Sequence, residues 1–456
     1  MSSINSSKKG SLIALLPAFV FVVCYLISIL LCNFIPEVGS VLSSYNLILS
    51  FIIALIVALF QNKNVTFKNK LSIIKDGITD KSIIFTILIL FMAGAFSGVV
   101  GQSSAKSVAY FMLDIVPEQY AVGVLFFTSC LVSLAMGTSV GSISVVVPIA
   151  IMVSNMTGHN IVLSVASVVG GSMFGDNLSM ISDTTIAACT GQDCSLKDKF
   201  VVNSKICIFA ALISLFIIVG ISHNQASGEI SKESYELVEF IPYILVLVLG
   251  IIGINVFIVL GIGLISGVFI CAWFKQMQII DIIFNMINGA SSMLEINFLI
   301  LIVASIACFI KKNGGFDFII NKVRIFCKSP KSSMLGVGVI VSLIDMIVAN
   351  NTVAIVISNP IAKQISKIYG IHKKRMASLI DVFACIAQGL IPYGAQIIMA
   401  VKLCENAGIY INSFSIVSLS IYQFVLLVIT VIGILTGIIG ENPLSFKKLF
   451  CCIKKN

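Results

Sequence analysis

The chain has 456 residues, of which 58% are hydrophobic and only 11% are charged. A soluble protein carries about a quarter charged residues, so this composition excludes an ordinary soluble domain and predicts an all-α polytopic membrane protein. The net charge of +9 does not indicate nucleic acid as a partner, because Lys and Arg cluster in alternate loops, which is the pattern that orients helices in a membrane.

Apolar segments separated by polar loops predict ten membrane-crossing helices, since lipid offers no partner to an exposed backbone. Two other segments, 121–155 and 333–366, each consist of two short apolar arms around a polar tip. They are predicted as re-entrant hairpins that enter and leave on one side. The predicted crossings are 11–33, 39–60, 83–103, 162–189, 200–221, 238–252, 253–274, 295–311, 376–402 and 412–438.

The distribution of basic residues predicts the orientation. If the N-terminus faces the cytoplasm, 24 of the 29 Lys and Arg residues fall in cytoplasmic segments, as the positive-inside rule expects. Both termini are therefore predicted to be cytoplasmic, and the basic runs to contact anionic membrane lipid. The absence of large soluble domains is typical of a bacterial inner membrane, where this plasma-membrane protein is expected.

The chain also repeats itself. The stretch "PIAIMVSNMTG" from Pro148 shares five of eleven positions with "PIAKQISKIYG" from Pro360, at an offset of 212. The same offset superimposes several predicted crossings and places Asp176 on Gln388. It predicts a first repeat over 1–221, an external linker over 222–237 and a second repeat over 238–456. Each repeat contains five crossings, an odd number, so the two repeats are predicted to have inverted topology.

Helix-breaking residues occur at matched places in the two repeats. The hairpin tips read "MGTSVGS" and "ANNTVA", and two crossings are interrupted by "GDNLSMISDTT" and "QGLIPYGAQ". Broken helices at this depth expose backbone groups that bind ions, and hydroxyl, amide and carboxylate oxygens suit a small hard cation. The hairpin and second-break candidates are Thr138, Ser139, Asn350, Asn351, Thr352, Gln388, Tyr393 and Gln396.

Asp176 is the main candidate for a Na+ ligand, because an acid in a broken intramembrane helix is functional by default. It could also cap the second half-helix. Asp183 would lie about 10 Å from it if the intervening stretch is helical, and both a coordinating and a structural role are open. Asp381, early in its crossing, is expected to snorkel or to face an inward cavity. The candidate ion-binding residues are Asp176, Asn177, Ser179, Ser182, Asp183, Thr184 and Asp345.

The stretch "GGSMFGDNLSMISDTT", Gly170 to Thr185, resembles the signature of the NhaC family of Na+/H+ antiporters. The resemblance implies two inverted halves, each with a hairpin and a broken helix, and a transport domain that moves against a scaffold. It also implies exchange of cytoplasmic Na+ for external H+. The second half departs from the familiar pattern, with "VANNTVAIVISNP" and "QGLIPYGAQ", and related carriers take organic acids or amino acids.

Two functions are therefore weighed. The first is a Na+/H+ antiporter, favoured by the acid-bearing motif and by the expectation that no Lys or Arg lies deep in a crossing. The second is a Na+- or H+-coupled carrier of a small amino or organic acid, which Tyr393 and Gln396 would contact. A passive channel would need a continuous polar stripe, and no catalytic constellation indicates an enzyme. No cofactor is expected beyond the transported Na+ and H+, and a homodimer is compatible with the sequence.

Overall fold

The computed structural model describes residues 10–34, 36–61, 65–180, 182–223, 225, 236–252 and 254–437. Over these residues the protein is all-helical and has no β-strand. Three short 3-10 helices, Leu12–Leu15, Glu118–Tyr120 and Leu237–Phe240, precede α1, α5 and α10. The α-helices are α1 (Leu16–Phe34), α2 (Pro36–Gln61), α3 (Phe67–Ile78), α4 (Lys81–Ile115), α5 (Ala121–Met136), α6 (Ser139–Thr157), α7 (Ile161–Leu178), α8 (Asp183–Gln192), α9 (Leu196–Ser222), α10 (Ile241–Ile251), α11 (Val256–Trp273), α12 (Ile279–Ser291), α13 (Leu294–Lys312), α14 (Gly315–Arg324), α15 (Pro330–Val348), α16 (Asn351–Ile368), α17 (Lys373–Leu390), α18 (Ala395–Asn406), α19 (Ser413–Ser418) and α20 (Ile421–Thr436).

The apolar composition of these helices makes the chain a multi-pass membrane protein. Eight helical segments among the described residues are long and apolar enough to cross a bilayer. Two of them, Ser139–Thr157 and Pro330–Val348, are arms of the predicted hairpins, and several predicted crossings correspond to shorter apolar helices. The count of ten crossings and the re-entrant path of the hairpins therefore stay predictions.

The predicted interruptions are present in the structure. α5 and α6 are joined at Gly137, which is left-handed with φ +68°, and α15 and α16 are joined at Ala349, with φ +48°. The left-handed region lets each chain reverse within two residues, and glycine adopts it without a Cβ penalty. α7 and α8 are separate helices, as are α17 and α18. The broken crossings are thus confirmed as pairs of half-helices.

Helix bounds in the two halves correspond at the predicted offset. The first residues of α7 and α17 are 212 positions apart, and so are their last residues. α6 and α16 each contain a proline at the same offset, Pro148 and Pro360. Helices of one half pack on helices of the other: α3 contacts α13, and α12 contacts α4. These correspondences agree with a repeat, and its inverted orientation stays a prediction. Most of the predicted linker 222–237, residue 253 and the basic tail from 438 onward lie outside the described residues.

The hairpins and broken helices form the interior of the molecule. α5 packs along α7, α15 packs along α17, and α8 and α18 pack on α16 and α6 of the opposite half. All of the described residues of α7 from Leu163 to Leu178 are buried. The peripheral helices α3 and α12 are amphipathic, and α12 reaches α4 by backbone contact of Gly289 with Gly94 and Gly98. The two breaks are therefore enclosed by protein rather than exposed to lipid, which irregular backbone at this depth requires.

Candidate functional site: a polar cavity at the broken helices

The break in the first half begins at Ser179, which ends α7 in an extended conformation. The chain re-enters a helix at Asp183 after Ser182, which is also extended. Asn and Ser side chains compete with the backbone for hydrogen bonds, so this polar stretch ends one half-helix before the next begins. Asp176 lies in the last turn of α7 and is only 6% exposed. A carboxylate is thereby held inside the protein beside freed backbone groups.

Two hydroxyl groups bind the Asp176 carboxylate. Ser139 Oγ, at the tip of the first hairpin, donates to Asp176 Oδ2 at 2.9 Å, and Ser182 Oγ donates to Oδ1 at 2.5 Å. Ser182 Oγ also lies 2.9 Å from Thr184 Oγ1. Each carboxylate oxygen thus has a partner, as a buried ionised acid needs. The hairpin tip and both half-helices converge on one charge.

The second half joins this network through two amides. Gln396 Nε2, in the first turn of α18, donates to Ser139 Oγ at 3.0 Å. Gln388 Nε2 donates to Gln396 Oε1 at 2.7 Å and to the carbonyl of Ala349 at 3.3 Å. A hydrogen-bonded path therefore runs from the second hairpin tip to Asp176. A displacement of either hairpin would change the donors at the carboxylate.

These groups line a cavity of about 420 Å³. Its other walls are the first half of α4, the start of α11 and the middle of α13, including Thr86, Asn255 and Val303. The cavity brings together most of the residues that the sequence analysis singled out, from both halves of the chain. The predicted residues that line it are Thr138, Ser139, Asp176, Ser182, Asp183, Thr184, Asn350, Asn351, Thr352, Gln388, Tyr393 and Gln396.

Three predicted residues do not line the cavity. Asn177 points toward α9, where its side chain bonds to Asn203 and Cys207. Ser179 is buried at the end of α7. Asp345 is fully buried in α15, and neither of its carboxyl oxygens has a hydrogen-bond partner among the described residues. Their assignment to ion binding stays a prediction.

The continuous helix on which the expected separation of Asp176 and Asp183 depended is not present. α7 ends at Leu178 and α8 begins only at Asp183, so the rise of one α-helix does not set the distance between the two acids. Asp183 is the first residue of α8, and it is exposed to the cavity that Asp176 also lines. Both acids can therefore meet the same solute, with Asp183 nearer to solvent.

One basic residue is buried in the protein, away from the cavity. Lys199, predicted to lie in a cytoplasmic loop, is fully buried at the start of α9 and forms an ion pair with Asp381 of α17. Asp381 does not snorkel, because its side chain is only 1% exposed. The sequence shows that Lys199, Asn203 and Cys207 recur every four residues and share one face of a helix, but this spacing does not show that the face is buried.

The arrangement is suited to binding a small cation or a proton. Carboxylate and hydroxyl oxygens are hard ligands, and the hydroxyls of Ser139, Ser182 and Thr184 can turn their lone pairs toward an ion. Among the described residues, no group of three or more His, Cys, Asp or Glu side chains is placed to hold a metal cofactor.

A multi-pass helical protein whose broken helices meet at such a cavity is a membrane transporter and not an enzyme. A comparison with known families points the same way: residues 3–222, just under half of the chain, match the model of the Na+/H+ antiporter family. The resemblance drawn from the Gly170–Thr185 stretch is thereby confirmed.

Relatives extend this likeness beyond the first half. A protein of Haemophilus influenzae described as an uncharacterised Na+/H+ antiporter is 23% identical over 363 residues, which cover 71% of this chain and 77% of that one. A second protein of that organism is 28% identical over 155 residues, covering 32% and 29%. The malate-2H+/Na+-lactate antiporter of Bacillus subtilis is 25% identical over 228 residues, covering 47% and 48%. The matches to the latter two span less than half of each relative.

Two solved transporters show a partial structural likeness. The YdaH transporter of Alcanivorax borkumensis has 15% identity and a TM-score of 0.43, covering 79% of this chain and 89% of its own. MtrF of Neisseria gonorrhoeae, whose structure is described as illuminating a class of antimetabolite efflux pumps, has 13% identity and the same TM-score of 0.43, covering 84% and 93%. TM-scores this low do not establish a shared fold.

Proposed function

We propose that the protein exchanges cytoplasmic Na+ for external H+ across the bacterial plasma membrane, with Asp176 as the group that both ions occupy in turn. The observation that supports this most strongly is the pair of hydroxyl donors, Ser139 and Ser182, on a carboxylate that is buried at a helix break and lines a cavity. The match of the first half to Na+/H+ antiporters points the same way.

Competition for one carboxylate is enough to couple the two flows. A proton on Asp176 removes the charge that attracts Na+, and a bound Na+ disfavours the proton. In the Na+-bound state, Ser139 and Ser182 would turn their oxygens to the ion, and in the proton-bound state they would bond to the neutral acid. Each state is electrically balanced inside the protein, so either can cross between the two sides.

The predicted orientation gives the direction in which the cavity opens. Its walls include Ile83, Thr86 and Ile89 at the start of α4, which follows the basic and therefore cytoplasmic segment 61–82. We take the present conformation to face the cytoplasm. Release to the outside then requires movement of the hairpins and broken helices relative to α4, α11 and α13.

A second candidate function is coupled transport of a small organic acid. The cavity volume of about 420 Å³ is far larger than the roughly 30 Å³ of a water molecule. Asn350, Asn351, Tyr393 and Gln396 are among the residues that line it. The Bacillus subtilis relative named as a malate-2H+/Na+-lactate antiporter favours a carboxylate as this solute.

The two functions can be separated in proteoliposomes that contain a pH-sensitive dye and carry a preset pH gradient. Addition of NaCl alone should dissipate the gradient for wild type and for Asp281→Asn, an exposed acid on α12, but not for Asp176→Asn. A gradient that responds only when malate or lactate accompanies Na+ would establish the second function. An Asp176→Asn variant that exchanges Na+ as wild type does would refute the first.

A further inference from the structure

Lys199 of α9 lies where its helix meets three others, away from the cavity. Its Nζ donates to the carbonyl of Asn177 at 2.6 Å and to Thr185 Oγ1 at 2.7 Å, and it forms an ion pair with Asp381. The side chains of Lys199 and Asp381 are 0% and 1% exposed. The ammonium group is therefore fully enclosed by α7, α8, α9 and α17.

The groups around this ammonium are of three kinds: a carbonyl freed at the end of a half-helix, a hydroxyl and a carboxylate. These are the oxygen ligands that hold a small hard cation. A positive charge is also favoured at this point because the C-terminal end of α7 carries a partial negative charge. These oxygens, which we call the oxygen cage, have the composition of a cation site. The cation that occupies it is the ammonium group of Lys199, which is part of the protein.

The cage is tied to the proposed transport site and does not overlap with it. Asn177, whose carbonyl binds Lys199, follows Asp176 directly, and Thr185 follows Thr184, which lines the cavity. Lys199, Thr185 and Asp381 are not among the cavity residues. Asn203 donates to the same Asn177 carbonyl at 2.9 Å and accepts from Ser378 of α17, so the oxygen cage is built from both halves of the chain.

We propose that the Lys199 ammonium permanently fills a second cation site, formed by the Asn177 carbonyl, Thr185 and Asp381, and that Na+ binds at this site when the ammonium is removed. The fixed charge stabilises both sides of the first break without being transported. Exchange is then confined to Asp176, and the inference holds whichever solute the cavity carries.

The test is thermal stability of the purified full-length protein in detergent, with NaCl replaced by choline chloride to hold ionic strength constant. All variants carry Asp176→Asn, so that Na+ binding at the transport site does not contribute. Lys199→Ala should gain a Tm that rises with the logarithm of Na+ concentration. Lys199→Arg keeps a cation in the cage, and Lys205→Ala makes the same change elsewhere on α9; neither should gain this dependence.

The double variant Lys199→Ala/Asp381→Ala separates the site from general packing. It removes both charges, so that neither is left buried without its partner, and it should lose the Na+ dependence that Lys199→Ala gains. If Lys199→Ala folds only in Na+, the proposal is supported. A Lys199→Ala protein whose Tm is the same in Na+ and choline, or one that fails to fold at every Na+ concentration, overturns it. Neither result depends on Na+/H+ exchange at Asp176.

Discussion

At the scale of single residues, the environment of Asp176 sets what the carboxylate can bind. Two hydroxyls from different elements reach its two oxygens, and the same residue lines the cavity. A buried charge costs several kcal/mol unless it is paired. The carboxylate is therefore stable only with hydroxyl donors, a proton or a cation around it, and these states can replace one another.

Removal of either hydroxyl should weaken Na+ binding. A hydrogen bond to a charged group contributes about 1.5–3 kcal/mol, so Ser139→Ala and Ser182→Ala should each raise the half-saturating Na+ concentration about tenfold or more. The measurement is the Na+ dependence of dye response in proteoliposomes. Ser204→Ala, which removes a hydroxyl that donates to the Val201 carbonyl on α9, should behave as wild type. Equal affinities for all three variants would exclude the hydroxyls from the ion site.

Residue chemistry was predictable where it coincides with helix-breaking signals. Ser139, Asp176 and Gln396 each lie within two residues of a glycine in otherwise apolar runs, so these polar side chains stand out in the sequence. The burial of Lys199 was not predicted, because a lysine at the start of a crossing is typical of the membrane–water interface. Only tertiary packing shows whether such a side chain faces water or protein. The hydrogen-bonded path from Gln388 to Ser182 depends on how the two halves of the chain pack together. Local sequence patterns do not specify that packing.

At the scale of elements, the hairpin tips depend on a backbone conformation that side chains disfavour. Gly137 joins α5 to α6 at φ +68°, and Ser139 follows two residues later. A residue with a Cβ in the left-handed region costs about 1–2 kcal/mol. The tip that presents Ser139 to Asp176 thus depends on this glycine, whereas Ala349 meets the same cost at the second tip.

Gly137→Ala should therefore lower the free energy of unfolding by about 1 kcal/mol. The matched control is Gly220→Ala in α9, where a Cβ would meet no atom within 4 Å, and there alanine should leave stability unchanged or raise it. Thermal unfolding in detergent measures both changes. A Gly137→Ala protein as stable as Gly220→Ala would mean that the first tip adopts another conformation.

An exposed ion pair outside the crossings links Asp193, at the end of α8, to Lys363 in the second half of the chain. Asp193 lies 2.6 Å from Lys363 of α16 and 3.9 Å from Lys373 of α17. The hydrogen bond from Lys363, together with the charges of both lysines, holds the pKa of Asp193 below its usual value of 3.8. A carboxylate with a lowered pKa stabilises the fold above its unfolded pKa and loses that contribution as pH falls through the folded pKa.

Wild type should thus be slightly more stable than Asp193→Asn at neutral pH, and the difference should vanish as pH falls below 3.8. The effect should be small and should decrease with added salt, because exposed ion pairs are screened. Paired Tm measurements across this pH range test it. A difference that persists at acid pH would show that the asparagine acts through something other than charge.

At the scale of the whole molecule, the break positions and hairpins were predictable because glycine, proline and polar residues interrupt long apolar runs. The offset of 212 also anticipated the bounds of α7 and α17. The cross-packing of α3 on α13 and α12 on α4 was not predictable, since it depends on backbone contact at Gly77 and Gly289. Periodicity does not show which helix a glycine face will meet.

The orientation can be tested with epitope tags placed in the segment 61–66, in the segment 222–237 and after residue 456. We expect only the 222–237 tag to be labelled from outside intact cells, because the basic segments face the cytoplasm. Permeabilised cells serve as the control for tag exposure. Labelling of the 61–66 tag in intact cells would reverse the topology and, with it, the side to which the cavity opens.

The most direct test of the account asks whether Na+ displaces a proton from Asp176. Purified protein in weakly buffered detergent solution should acidify the medium on addition of NaCl, by up to about one proton per chain, because cation binding to a carboxylate releases its proton. Choline chloride should release none, and Asp281→Asn should match wild type. The account predicts that Asp176→Asn releases no proton; release equal to that of wild type from this variant would contradict it.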